Sequence, residues 1–259
     1  MRVAALYDIH ANLPALEAVL DEVHQVAVDR VVVGGDVLPG PMPRETLARL
    51  FALEVPVQFI HGNGELAVLA QIGVTDPADV VYWGTASGAP LPVEHRPPVR
   101  WTAEQLDAET AHKVAGWPKT LRLDVPGVGG VLFCHGTPRS ETEIFTRLTD
   151  DTLLRSLFDG LDVSLVVCGH THMQFDRVIG HTRVVNAGSV GMPFGNPGAD
   201  WLLVGPDIEF RRTEYDLERA ASRVRRTAYP QAEDFAARSI LQPPSAAQML
   251  ELFTNLSFK

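Results

Sequence analysis

Short apolar runs alternate with stretches of three-and-four periodicity through the first quarter of the chain. Val3-Ala4-Ala5-Leu6-Tyr7 reads as a buried strand. Leu16, Val19, Leu20 and Val23 then recur at helical spacing, and Pro14 suits a first turn, so a helix is predicted from Leu13 to about Val28. Arg30 to Val33 is a β-branched strand. A loop rich in proline and glycine, Pro39 to Pro43, leads to a helix over about 44–53, and Pro56 to Ile60 makes a third strand. Strand–helix–strand–helix–strand with short apolar strands predicts a parallel, right-handed βαβαβ sheet.

The pattern changes over 66–118. Helices are predicted at about 66–72 and 103–115, around a loop-rich stretch holding Pro90, Pro92, Pro97 and Pro98. This reads as a cap-like insertion packed over or beside the ligand crevice, and it carries Trp83, His95, Arg96, Arg100 and Trp101. The second half is rich in strands. Leu121 to Val125 and Gly130 to Phe133 form a hairpin around Pro126-Gly127. A helix is expected over Asp150 to Phe158 with Thr149 as its N-cap, then a buried strand over Val163 to Val167. Gln174–Ile179, Thr182–Asn186, Ala199–Val204 and Ile208–Glu214 are short, alternating and bounded by turns, as in an antiparallel sheet. The tail, 216–259, reads as two or three helices punctuated by Pro230 and Pro243-Pro244, free to pack on the sheet, over the crevice or against a second copy. The whole is expected to be a single domain, 1–259.

Composition adds little until charge is considered. With 46% hydrophobic and 21% charged residues the chain is ordinary for a globular protein. No apolar run reaches membrane-spanning length, no signal-peptide pattern opens the chain, and Cys134 and Cys168 sit in apolar runs as buried thiols, so a cytoplasmic protein is expected. A net charge of −10 repels nucleic acid at long range and argues against an extended nucleic-acid surface. A phosphorylated substrate then needs local positive charge, which bound metal ions supply.

The candidate chemistry lies at the strand ends. Asp8, Asp36 and Asn63 each follow a predicted strand, at spacings of 28 and 27 residues that match one βα unit each. In an open parallel sheet those ends line the ligand crevice. His10, His135, His170 and His172 follow strand ends as well. Two carboxylates, four imidazoles and an amide, with no thiolate, suit Mn, Fe, Zn, Ni or Co rather than Ca. The number suits two ions, which a shared carboxylate holds about 3.5–4 Å apart. Asp36, the most central acid in strand order, is the candidate bridge.

Asp8-x-His10, Gly34-Gly35-Asp36, Gly62-Asn63, His135-Gly136 and Gly169-His170-Thr171-His172 resemble, in order, the motifs of the calcineurin-like metallophosphoesterase family. Residues 8–18 and Asn186-Ala187-Gly188-Ser189-Val190-Gly191 are similar to its small bacterial and archaeal, phosphodiesterase-like branch. The resemblance covers roughly residues 1–215. It implies an α/β fold, a four-layer α/β/β/α sandwich of two mixed sheets, with the helical insertion near the active site. It implies two divalent transition-metal ions, manganese foremost. Asp8, His10, Asp36 and His172 would bind one, and Asp36, Asn63, His135 and His170 the other, with Asp36, Asn63 and His135 taking the catalytic positions. A metal-bridging hydroxide would attack phosphorus in line.

One position departs from the family. Many members carry histidine after the asparagine of the third motif, where it steadies the phosphoryl group and protonates the leaving oxygen. Here the run is Gly62-Asn63-Gly64-Glu65. Glycine at 64 suits a turn of positive φ, and Glu65, His61 or a residue of the insertion could stand in as the acid. A positioned acid is worth about 10²–10⁴-fold, so its absence favours esters with good leaving groups, and hence diester over monoester hydrolysis. The expected partner is a small phosphorylated substrate, of nucleotide or cyclic type. A phosphatase of the same fold and a non-catalytic metal-binding scaffold are the competing readings.

Overall fold

The computed structural model describes residues 1–76 and 92–256; Trp83 and Pro90 of the predicted insertion lie outside the described residues. Two mixed five-stranded sheets are flanked by helices. The first half forms β1 (Val3–Leu6), α1 (Leu13–Gln25), β2 (Arg30–Val33), α2 (Pro43–Phe51), β3 (Val57–Phe59) and α3 (Asn63–Gln71). β1, β2 and β3 are parallel neighbours, with Ala4 opposite Val31 and Val31 opposite Val57. The expected parallel pairing of these three strands therefore holds.

The alternation along β1 shows why its run is apolar throughout. Ala4 and Leu6 pack against Leu16, Val19 and Leu20 of α1 and Leu47 and Leu50 of α2. Val3, Ala5 and Tyr7 point the other way, into a core shared with Val131, Phe133, Leu165 and Val167 of the second sheet. Both faces are buried, so neither tolerates polar residues. The second sheet is built from β4 (Thr120–Val125), β5 (Gly129–Cys134), β6 (Leu165–Cys168), β7 (Phe175–Ile179) and β8 (Thr182–Asn186), in the order β4-β5-β6-β8-β7. Its outer face, Leu132, Cys134, Val166 and Val184, is covered by Leu154, Leu157 and Phe158 of α6 (Asp151–Phe158). This gives the helix–sheet–sheet–helix layering.

Several details differ from expectation. The four late strands do not form one antiparallel sheet. β7 and β8 pair antiparallel, but β8 is parallel to β6. β9 (Ala199–Val204) and β10 (Ile208–Thr213) instead extend the first sheet, with β9 antiparallel to β1. Alternation says that a strand has two faces, not which sheet it joins. The helix predicted over 103–115 is two helices, α4 (Arg96–Glu104) and α5 (Ala108–Ala115), separated at Asp107, whose carboxylate caps α5 by accepting from Thr110 N at 2.7 Å. Pro97 and Pro98 do not break structure; they open α4, where a missing N–H costs nothing. The N-cap of α6 is Asp150, accepting from Thr152 N at 2.7 Å, not Thr149, whose hydroxyl accepts from Thr146 N.

The tail forms α7 (Leu217–Arg225), α8 (Ala232–Phe235), a π-helical stretch Ala236–Leu241 and α9 (Ala246–Leu256). Val224, Phe235 and Ile240 pack with Leu13 and Met42 beside the β1–α1 junction, and Phe253 packs with Met173 and Phe194. The tail thus lies against the C-terminal strand ends. Among the described residues no helix is long and apolar enough to cross a membrane.

Candidate metal centre

Each sequence-predicted ligand sits just past a strand, and the backbone there is unusual. Asp8, His10, Asp36, His170 and His172 have φ of 53°, 47°, 51°, 66° and 56°. Left-handed backbone is uncommon outside glycine, though Asp and His tolerate it better than most residues. Such conformations persist only where the surroundings hold them. Here the surroundings are specific. Asp8 N donates to Gly35 O and His10 N to Asp36 O, so the β1 and β2 loops are laced together. Asp8 Oδ2 accepts from His170 N at 2.9 Å, tying the first sheet to the second. Gly169 makes this possible: a Cβ there would lie 2.5 Å from Asp8 Oδ2.

The imidazoles are aimed by their outer nitrogens. His135 Nδ1 bonds Gly34 O at 3.0 Å and His172 Nδ1 bonds Met192 O at 2.9 Å. With Nδ1–H donating to a carbonyl, Nε2 is left to face inward as a ligand. His135 Nε2 lies 3.5 Å from Asp36 Oδ1, and His172 Nε2 lies 3.3 Å from Asp8 Oδ1 and 3.2 Å from His10 Nε2. Asp8, His10 and His172 form one group and Asp36, His135 and His170 another, the ligand atoms of each lying within 4.8 Å of one another. Asp36 turns Oδ1 toward His135 and Oδ2 toward His10 (3.8 Å), one oxygen to each group. Asn63 opens α3 and lines the same cavity. All the predicted ligands are brought to one place.

Electrostatics and unmet bonding both point to cations. Burial alone would raise the Asp8 carboxyl, but His172 and His135 outweigh it and hold it below its usual value; Asp36 is likewise driven down, by His135 and His10 against burial. Burial presses the imidazoles of His10 and His170 down to about 4. His135 goes the other way: burial opposes, but Asp36 and Asp8 raise it to about 10. Asp8 Oδ1, Asn63 Oδ1, His135 Nε2 and His170 Nε2 are buried without a hydrogen-bond partner. An unpartnered buried polar atom costs about 1–3 kcal/mol. Four at one point, all lone-pair donors suited to a borderline metal, fit a divalent-ion centre.

The residues weighed as replacements for the absent histidine resolve differently. Glu65 is fully buried and accepts from Gly62 N (2.7 Å) and Asp36 N (2.9 Å) through Oε2, and from Leu38 N (2.9 Å) through Oε1. It is a positioning residue for the Asp36 loop, not an acid for a ligand; burial and Asp36 raise its carboxyl to about 7. His61 lies beside Glu141 and Lys119 and does not line the cavity. Gly64 is not a positive-φ residue. It sits in the first turn of α3, where its N–H donates to Asp36 Oδ1 at 2.7 Å, and a Cβ would fall 2.0 Å from Leu38 O. The position is closed to histidine by a backbone carbonyl.

Above the ligands lies a cavity of about 320 Å³. Its lining also draws on parts of the chain that carry no motif: His95, Pro98 and Val99 before and in α4, and Tyr229, Asp234 and Phe253 of the tail. His95 was visible in sequence as a polar residue of the insertion. The tail residues gave no such signal, because an amphipathic pattern shows that a face is buried but not against what.

Two sheets whose strand ends converge on paired His/Asp groups define an α/β sandwich with a candidate metal centre. Residues 1–205 match the model of the calcineurin-like phosphoesterase superfamily domain, and the chain belongs to that family. An uncharacterised protein of Methanocaldococcus jannaschii is 24% identical over 249 residues, covering 88% of this chain and 94% of that one. The crystal structure of a metallophosphoesterase from Sphaerobacter thermophilus superposes with a TM-score of 0.66 at 27% identity, covering 92% of this chain and 97% of that one. A hypothetical protein from Pyrococcus horikoshii shares the fold with a TM-score of 0.75 at 19% identity, over 94% of this chain and 99% of that one.

Proposed function

We propose that the protein is a dimetal phosphoesterase that hydrolyses small phosphodiesters of nucleotide or cyclic type. The observation that carries this reading is the convergence of two donor groups on four buried, unpartnered ligand atoms at the floor of one cavity. Asp8, His10, Asp36 and His172 would hold one ion and Asp36, Asn63, His135 and His170 the other; manganese is the expected metal. When bound, such ions lower the pKa of water and neutralise phosphoryl charge. The chain's own contribution is placement. Gly34 O and Met192 O fix the rings of His135 and His172, and Glu65 fixes the loop that carries Asp36. Asp36, Asn63 and His135 are the catalytic candidates.

Two observations favour diester over monoester. No lysine or arginine lines the cavity among the described residues, and a diester brings one negative charge to it where a monoester brings up to two. The acid that assists poor leaving groups elsewhere in the family is sterically excluded at position 64. The test is turnover of bis-p-nitrophenyl phosphate against p-nitrophenyl phosphate by the manganese-loaded protein. The diester is expected to react faster, because it brings one negative charge, where the monoester brings up to two, to a cavity that no lysine or arginine lines among the described residues. A monoester preference overturns the diester assignment. No turnover of either substrate, with manganese shown bound by calorimetry, overturns the enzyme reading in favour of a scaffold.

A further inference from the structure

We propose that His95 is a further catalytic residue, the donor that protonates the leaving oxygen in place of the histidine that Leu38 O excludes from position 64. The assignment rests on the phosphoesterase reading above. It starts from elimination within one cavity. Among the described lining residues outside the two metal groups, the side chains that ionise are His95, Tyr229 and Asp234. Burial, with Asp234 adding to it, pushes the Tyr229 phenol up, away from useful acidity. Asp234 is committed to Arg238 one turn on, at 3.8 Å. Imidazole is the side chain suited to giving and retaking a proton near neutral pH.

Position and anchoring support the same residue. His95 ends a short 3-10 turn, Val93–His95, that runs directly into α4, and α4 packs on α3, the helix that Asn63 opens. The tail holds the turn from the other side: Gln231 Nε2 donates to Glu94 O at 2.9 Å, and Trp101 of α4 meets Tyr229 edge-on at 5.5 Å. The ring is half-buried on the wall of the cavity whose floor is the metal groups. In-line displacement places the leaving oxygen opposite the attacking one. With attack from the metal groups, the leaving oxygen points into the rest of the cavity, whose lining includes His95.

The step balances without another reagent. A water oxygen forms the new bond to phosphorus and the phosphorus–ester oxygen bond breaks. The electron pair left on the ester oxygen takes the ring proton of His95, and the proton lost by the water passes to solvent, from which the ring is restored.

The test uses H95N and H95Q in the full chain, with phosphodiesters whose leaving groups run from p-nitrophenol through phenol to an alkyl alcohol. The expected result is a graded loss: little change with p-nitrophenol and about a 10²-fold fall with the alkyl alcohol. Manganese stoichiometry by calorimetry should remain that of the unsubstituted protein. A merely structural role would lower all rates alike, so a uniform loss, or none, across the series overturns the assignment. If the unsubstituted protein turns over no member of the series, the phosphoesterase reading fails first, and this one with it.

Discussion

Replacing Gly64 by alanine sets two physical effects against each other. Gly64 lies in the first turn of α3, and by helix propensity alone alanine gains up to about 1 kcal/mol over glycine. The structure argues the opposite sign. The new Cβ would stand 2.0 Å from Leu38 O and 3.0 Å from Asp36 Oδ1, so the Leu38 carbonyl must retreat by about 1 Å to reach even the tightest real contact. It is not free to do so, because Leu38 N is bonded to Glu65 Oε1 at 2.9 Å. Overpacking costs about 1–3 kcal/mol and a weakened bond to a carboxylate about 1.5–3 kcal/mol; set against a propensity gain of about 1 kcal/mol, the net loss is about 1.5–5 kcal/mol. A domain of ordinary stability survives that loss. Urea denaturation of the metal-free G64A protein should therefore show a lower midpoint with an unchanged slope. Manganese titration should show weakened binding, since the displaced segment carries Asp36. A midpoint at or above that of the unsubstituted protein, with manganese affinity intact, would refute the steric account and reopen position 64 to side chains.

Three further outcomes follow from the same site. E65Q replaces an acceptor of three backbone N–H groups by an amide that must turn its own NH₂ toward one of them, and should cost about 2–4 kcal/mol in chemical denaturation; a loss below 0.5 kcal/mol, on the order of a surface change, counts against its anchoring role. D36N should abolish turnover and weaken manganese binding while the far-ultraviolet circular dichroism is retained; near-normal turnover counts against the two-ion assignment. Metal removal should expose a pH dependence: burial opposes protonation of His135, but Asp36 and Asp8 outweigh it and raise the imidazole from 6.5 to about 10. A raised folded-state value adds stability that is complete below 6.5 and lost as pH rises through about 10, so the chelated protein should melt lower near pH 10 than near pH 7, and equal melting temperatures would contradict the shift.

The parts of the site that were legible in sequence are those set by local rules. Asp8, Asp36 and Asn63 could be placed together because a βα unit has a nearly fixed length and its strand ends lie on one side. His135, His170 and His172 followed from the same logic in the second sheet. What could not be read depends on contacts between segments distant in the chain. Gly64 was read as a turn residue because glycine usually marks positive φ, whereas its real constraint is a carbonyl 26 residues earlier. Pro97-Pro98 was read as loop because proline breaks helices, yet the same residue opens them. β8 and β9 both read as short, turn-bounded strands, and only packing assigns one to each sheet. The tail's helices were expected, but their place beside the metal groups is a property of the assembled core around Leu13, Met42 and Phe235.

The cavity is thereby built from two materials. Its floor is polar, anchored to backbone carbonyls and held in left-handed turns, so its donors are fixed before any ligand arrives. Its wall is largely apolar and comes from elements outside the motifs, with Val99, Phe194 and Phe253 among its residues. Phe194 links the two, stacked on the His172 ring at 5.3 Å and touching Phe253 at 6.0 Å. No lysine or arginine among the described residues lines the cavity, and the chain carries a net charge of −10. On the reading proposed above, attraction for the anion is therefore conferred chiefly by the ions, and the wall selects on the rest of the ester. Affinity for phosphate and choice of leaving group are thus set by different segments, the first by the strand ends and the second by α4 and the tail.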